Sequence, residues 1–140
     1  MRFYIANDHA GFILKSPILE FLQARDYEVF DLGCHNQAKV DYPDFAHLLC
    51  QKVLEDSKSF GILICGSGIG MSIAANRFKG IRAALCYEPY SAAMSRKHND
   101  ANVLCLGARM IGIDMAEAIL QSFCQSQFEG GRHLQRIEKL

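Results

Sequence analysis

The sequence predicts an α/β domain: a three-layer αβα sandwich around a five-stranded, parallel, Rossmann-like sheet. Continuously apolar runs such as GILIC (Gly61–Cys65) and NVLCLG (Asn102–Gly107) read as short strands buried on both faces, and single helical stretches separate them. With 140 residues, the chain has the length of one domain and can bury roughly two-thirds of its unfolded surface around one core. Residues 1–140 are therefore expected to form a single domain, with residues 127–140 as a C-terminal tail.

The elements follow in order. Arg2–Ala6 is a short β-prone run, and Gly11–Arg25 carries Ile13, Leu14, Ile18, Leu19 and Leu22 on one helical stripe, with Pro17 near its first turn or bending it. Glu28–Leu32 is a second strand ending at Gly33. After a polar loop, Pro43 opens a helix to about Leu54, with Phe45, Leu48, Leu49 and Val53 facing inward. Strand Gly61–Cys65, helix Gly68–Arg77, strand Ile81–Cys86 and helix Pro89 to about His98 come next. Strand Val103–Leu106 and helix Gly112 to about Cys124 complete the set. The tail has a Gly130–Gly131 hinge and then a short helical pattern.

Composition excludes several classes of function. Half the residues are apolar and a fifth charged, and 15 Lys and Arg balance 15 Asp and Glu, so the chain is folded rather than disordered. Zero net charge supplies no field for delocalised binding to nucleic acid or a lipid surface, and any anion must be held locally. The uncharged stretch Ser59–Asn76 is interrupted by Gly61, Gly66, Gly68 and Gly70, and reads as strand, turn and helix start rather than a membrane span. Polar Asn7, Asp8 and His9 precede any apolar stretch long enough for a signal peptide, so a cytoplasmic chain is expected. The six cysteines are widely spaced with no C-x-x-C pair, which argues against a disulfide framework and a zinc knuckle.

In an open α/β sheet, ligands bind outside the carboxyl ends of the strands. That edge gathers Asp8–His9, the Gly33 loop, Cys65–Gly70, Tyr87–Glu88 and Gly107–Arg109. The loop CGSGIG (Cys65–Gly70) has three glycines, which turn the backbone sharply and present free N–H groups to an anionic oxygen. It also reads as a mere tight connection, and it fits the dinucleotide fingerprint poorly: Met71 stands where the last glycine belongs, although Glu88 is placed to hold a ribose. Cys65, at a strand end against a helix start, sits where a thiolate is favoured; the plainer reading is one more buried strand cysteine. Asp8–His9 reads equally as a turn that caps the first helix. His98 reads also as a cation on the last turn of its helix. Arg132 and Arg136, four apart, share a helix face and suit a phosphate clamp or a solvated pair. His35 and His47 carry no assignment.

Five strings decide between these readings: NDHAGF (Asn7–Phe12), DYPDFA (Asp41–Ala46), Gly61–Cys86, SRKHNDANVLCLGAR (Ser95–Arg109) and EGGRHLQRI (Glu129–Ile137). In order and over nearly the whole chain, they resemble the type B ribose-5-phosphate isomerase family, which also holds allose- and galactose-6-phosphate isomerases.

The resemblance implies interconversion of ribose 5-phosphate and ribulose 5-phosphate, a step of the pentose phosphate pathway, without metal or organic cofactor. It assigns proton transfer between carbons to Cys65, and ring opening to His98 with Asp8. Ser67, where several members carry Thr, contacts the sugar, and the loop residues Gly66, Gly68, Ile69 and Gly70 with Ser67 form an anion hole. His9, Arg132 and Arg136 match the phosphate-binding positions, helped by Arg109, while Asn99 matches a sugar contact. Some members lack the cysteine and use a glutamate just after the third glycine; here that position is Met71, so the chain resembles the cysteine-dependent branch. Six-carbon sugar phosphates, a non-catalytic subunit, and a nucleotide- or sugar-phosphate-binding module are the alternatives.

Helix geometry adds an expectation about assembly. Ten residues at 1.5 Å each carry His98 roughly 15 Å away from the ligand edge, too far to reach its own Cys65. His98 and Asn99, and with them the arginines of the tail, are therefore expected to complete a neighbouring subunit's pocket in a homodimer or tetramer.

Overall fold

The computed structural model describes residues 1–140. Five parallel strands, β1 (Arg2–Asn7), β2 (Glu28–Asp31), β3 (Ser59–Cys65), β4 (Ala83–Leu85) and β5 (Val103–Gly107), form one sheet in the order β2-β1-β3-β5-β4. Between and after them lie α1 (Phe12–Gln23), α2 (Tyr42–Glu55), α3 (Ile69–Ala75), α4 (Pro89–Asn99) and α5 (Ile113–Gln125). A single 3₁₀ turn (Gly131–His133) and α6 (Leu134–Ile137) make up the tail.

Strand alternation sorts side chains into two cores. Phe3, Ile5, Ile62, Ile64, Leu104 and Leu106 point to the face covered by α1, α4 and α5. Ala6, Leu63, Cys65, Val103 and Cys105 point to the opposite face, under α2 and α3. Both faces of the central strands are thus apolar, which is why the strands read as continuous hydrophobic runs. Each fully buried Phe, Ile or Leu contributes on the order of 1.5–3 kcal/mol.

The order of strands also fixes where a ligand can sit. The chain leaves β1 toward β2 on one side and returns through α2 to β3 on the other, so the switch point lies between β1 and β3. Register then levels the strand ends: Asn7 is opposite Ile64, and Cys65 opposite Gly107. The residues that follow these strands share one rim.

Several local expectations are corrected. Ile13 is 74% exposed, and Lys15 and Phe21 join Leu14, Ile18 and Leu22 on the buried side of α1. Lys15 is buried because its Nζ donates to the Cys34 carbonyl at 2.6 Å and pairs with Asp31 at 3.0 Å. On α2 the buried residues are Ala46, Leu49, Cys50 and Val53, whereas Leu48 is exposed. Strand β4 is shorter than the run Ile81–Cys86, and α3 ends before Asn76. Where α3 ends, the Asn76 side chain accepts from the Ala83 N–H and donates to the Ala83 carbonyl, satisfying the outer edge of β4 at that residue.

Candidate functional site

At the rim, Asp8, His9, Ala10, Tyr42, Cys65, Gly66, Ser67, Gly70, Arg109 and Met110 surround a cavity of about 370 Å³. They come from the ends of β1, β3 and β5, with Tyr42 from the start of α2. The Asp8 N–H donates to the Ile64 carbonyl at 3.1 Å, tying the end of β1 to that of β3, while the Asp8 carboxylate accepts from the Gly11 N–H at 2.9 Å. That second bond is the turn-capping arrangement legible in the sequence. Gly11 is required there because a Cβ would collide with the Ile64 carbonyl. His9 Nδ1 accepts from the Val40 N–H at 3.3 Å, which leaves the neutral ring's proton on Nε2 as a donor.

Cys65 is 5% exposed and borders the cavity. Its Sγ accepts from the Gly68 N–H at 3.1 Å. Cys50, Cys86, Cys105 and Cys124 do not border the cavity. Burial pushes Cys50 up to about 12 and Cys124 to about 11, and raises Cys86 and Cys105 as well, so these four stay thiols at neutral pH.

The loop after Cys65 is held in shape from outside. Tyr87 Oη donates to the Ser67 carbonyl at 2.8 Å, and Arg109 N–H to the Gly66 carbonyl at 2.9 Å. Ser67 Oγ accepts from the Ile69 N–H at 3.2 Å. The N–H groups of Gly66, Ser67 and Gly70 donate to no other protein atom, although all three residues border the cavity. Such a cluster of unpaired N–H donors is able to hold an anion locally. The Arg109 side chain lies across Gly66, and no carboxylate pairs with it.

A second group lies elsewhere. His98, on the last turn of α4, stacks on His133 of the tail with ring centroids 4.2 Å apart and planes 8° from parallel. The Glu129 N–H donates to the Lys97 carbonyl at 3.0 Å, which fastens the tail to the end of α4. Asn99, Arg132 and Arg136 are exposed nearby in sequence and make no ion pair. None of these residues borders the Cys65 cavity. Within one chain, then, Asp8, His9, Gly66, Ser67, Gly70, Cys65 and Arg109 come together, while His98 and Asn99 with Arg132 and Arg136 form a separate set. Gly68 and Ile69 shape the loop without lining the cavity.

The donor atoms of His98, Glu129 and His133 lie within 4.8 Å of one another, as in a candidate metal centre. A shared metal must lie in the plane of both imidazoles, however, and two parallel stacked rings offer no such point. Sequence reasoning placed Tyr87 on the ligand edge without a role and assigned none to His133 or Tyr42. The only mark His133 carries in the sequence is its place between Arg132 and Arg136.

The chain is similar to known proteins over nearly its whole length. A relative from Escherichia coli (strain K12), ribose-5-phosphate isomerase B, is 49% identical over 133 residues, covering 95% of this chain and 89% of its own. The solved structure of Clostridium thermocellum ribose-5-phosphate isomerase B superposes with a TM-score of 0.97 at 48% identity, covering 99% of this chain and 94% of that one. The Mycoplasma genitalium ribose-5-phosphate isomerase B, solved with bound ribulose-5-phosphate, gives 0.95 at 45% identity, covering 99% and 92%. The pattern of the Ribose/Galactose Isomerase family matches residues 3–140, which hold both groups of polar residues, and the chain belongs to that family.

Proposed function

We propose that this protein is an aldose–ketose isomerase that interconverts ribose 5-phosphate and ribulose 5-phosphate through an enediolate, as a step of cytoplasmic pentose phosphate metabolism. The observation that carries the reading is the Cys65 sulfur, hydrogen-bonded to Gly68 N–H and beside three unpaired N–H groups in one cavity. The relatives' names and the ligand of the Mycoplasma genitalium structure agree with it.

Each demand of the reaction has a residue. The furanose opens when the anomeric hydroxyl loses its proton and the ring oxygen gains one, work assigned to His98 and Asp8. The Cys65 thiolate takes the C2 proton of the open-chain aldose and returns a proton to C1, while the charge on oxygen is held by Gly66, Ser67 and Gly70 N–H. Ser67 contacts the sugar, on a loop that Gly68 and Ile69 shape. His9 through Nε2–H, with Arg109, Arg132 and Arg136, holds the phosphate, and Asn99 a sugar hydroxyl.

Because the two groups of residues are separate within one chain, a second copy is proposed to supply His98, Asn99, Arg132 and Arg136 to each Cys65 cavity in a homodimer or tetramer. Ile69 and Met110, flanking the loops of the site, are 49% and 58% exposed, and Ile73, one turn along α3, is 54% exposed, apolar surface suited to such a contact. The test is an isomerase assay with ribose 5-phosphate, allose 6-phosphate and galactose 6-phosphate, repeated for Cys65→Ala. Turnover of the five-carbon sugar that disappears in the variant is expected; preference for a six-carbon sugar would reassign the substrate within the family.

A further inference from the structure

His133 is the polar residue of the second group with no assigned part. Its side chain is 8% accessible, so it can hardly touch a substrate directly. Its ring lies flat on that of His98, and the residues around the pair are mostly cationic: Lys97 from α4, and Arg132 and Arg136 from the tail, against Glu129 alone. Glu129 stands 4.0 Å from both Lys97 Nζ and His133 Nε2, and its N–H anchors the tail to α4. The tail thus delivers an imidazole face to His98, on a backbone fastened to α4 at Glu129.

We propose that His133 is a positioning residue for His98: stacked face to face, it fixes the plane in which the His98 nitrogens meet the sugar ring oxygen. The proposal rests on the isomerase reading given above. Burial first, then the positive charges of His98, Arg132 and Arg136, hold His133 below the usual histidine range, with Glu129 acting in the opposite sense. Cations stacked at 4.2 Å would repel each other, which acts in the same direction. Misplacing a reacting group by an ångström costs up to about a hundredfold, which is why an inert neighbour matters.

The reaction offers a way to separate this part from simple stabilisation. Ribulose 5-phosphate has its C5 oxygen esterified and cannot close to a furanose, so exchange of its C1 hydrogen with solvent deuterium needs only the Cys65 step. Net conversion of ribose 5-phosphate also needs ring opening. For His133→Ala, kcat on ribose 5-phosphate is expected to fall roughly tenfold or more, with KM and the deuterium exchange rate within about threefold of the unchanged protein. His133→Phe, which keeps a flat ring in place, is expected to recover most of the loss. Parallel loss of exchange and conversion, no loss at all, or no recovery with Phe would each overturn the assignment. Absence of exchange in the unchanged protein, or its persistence in Cys65→Ala, would instead sink the isomerase reading.

Discussion

The Gly68 N–H points at Cys65 Sγ from 3.1 Å because Gly68 takes the left-handed backbone conformation, with φ +79°. A Cβ at Gly68 would lie 2.5 Å from Leu85 Cδ1 and 2.9 Å from the Leu106 carbonyl carbon. Gly68→Ala is therefore expected to lose about 1–2 kcal/mol from the backbone alone, with more from the contact against immobile β5 backbone. Denaturant unfolding measures that loss. Turnover should fall further than stability accounts for, since the displaced N–H leaves the sulfur unsupported.

Thiol chemistry separates the cysteines. With Cys50 pushed up to about 12, Cys124 to about 11, and Cys86 and Cys105 raised by burial, none of the four offers appreciable thiolate at about pH 8. Iodoacetamide is expected to label Cys65 first, with loss of activity in step, and a sugar phosphate should protect. Peptide mass spectrometry reads the order. Labelling of Cys124, the more exposed of the two, ahead of Cys65 would show that access rather than charge sets reactivity here.

Much of the site was legible because its residues sit where the chain's punctuation is loudest. CGSGIG follows a continuous apolar strand, so the loop, its free N–H groups and the sulfur at its start could be placed before any coordinates. The split between Cys65 and His98 followed from helix length alone. What sequence could not supply were contacts between distant segments that share no pattern. Tyr87 bonding the Ser67 carbonyl and Tyr42 seated against Gly70 depend on side-chain reach, not periodicity. The buried side of α1 was misjudged at Ile13 because a stripe drawn through apolar residues ignores Lys15, whose burial rests on Asp31 and the Cys34 carbonyl across the turn.

Shared sites make a prediction that no single-chain site makes. A Cys65→Ala chain retains His98, and a His98→Ala chain retains Cys65; each homomer should be nearly inactive. Mixed after reversible dissociation in equal amounts, they form hybrids in which one site holds both intact groups. Recovery of about one quarter of unmixed activity is expected for random pairing in a dimer. No recovery, despite hybrids visible by native mass spectrometry, would place both groups in one chain's site.

Acid should loosen the tail through His133. Its ionisation is lowered from 6.5 in the folded chain, so on falling below pH 6.5 the unfolded chain takes up a proton that the folded chain still refuses. The unfolded state then binds more protons, and the stability present above pH 6.5 drains away until the pH passes the folded ionisation as well. His133→Phe removes that proton and keeps the stacking partner of His98. Its melting temperature, relative to the unchanged protein, is expected to rise progressively as pH is lowered from about 7.5 to about 5, whereas at neutral pH the difference should be small. Carboxylates elsewhere titrate alike in both proteins, so the difference isolates the histidine. A difference independent of pH would mean that His133 ionises in the folded chain as freely as in water, and that its burial between His98 and the tail arginines costs the cation nothing.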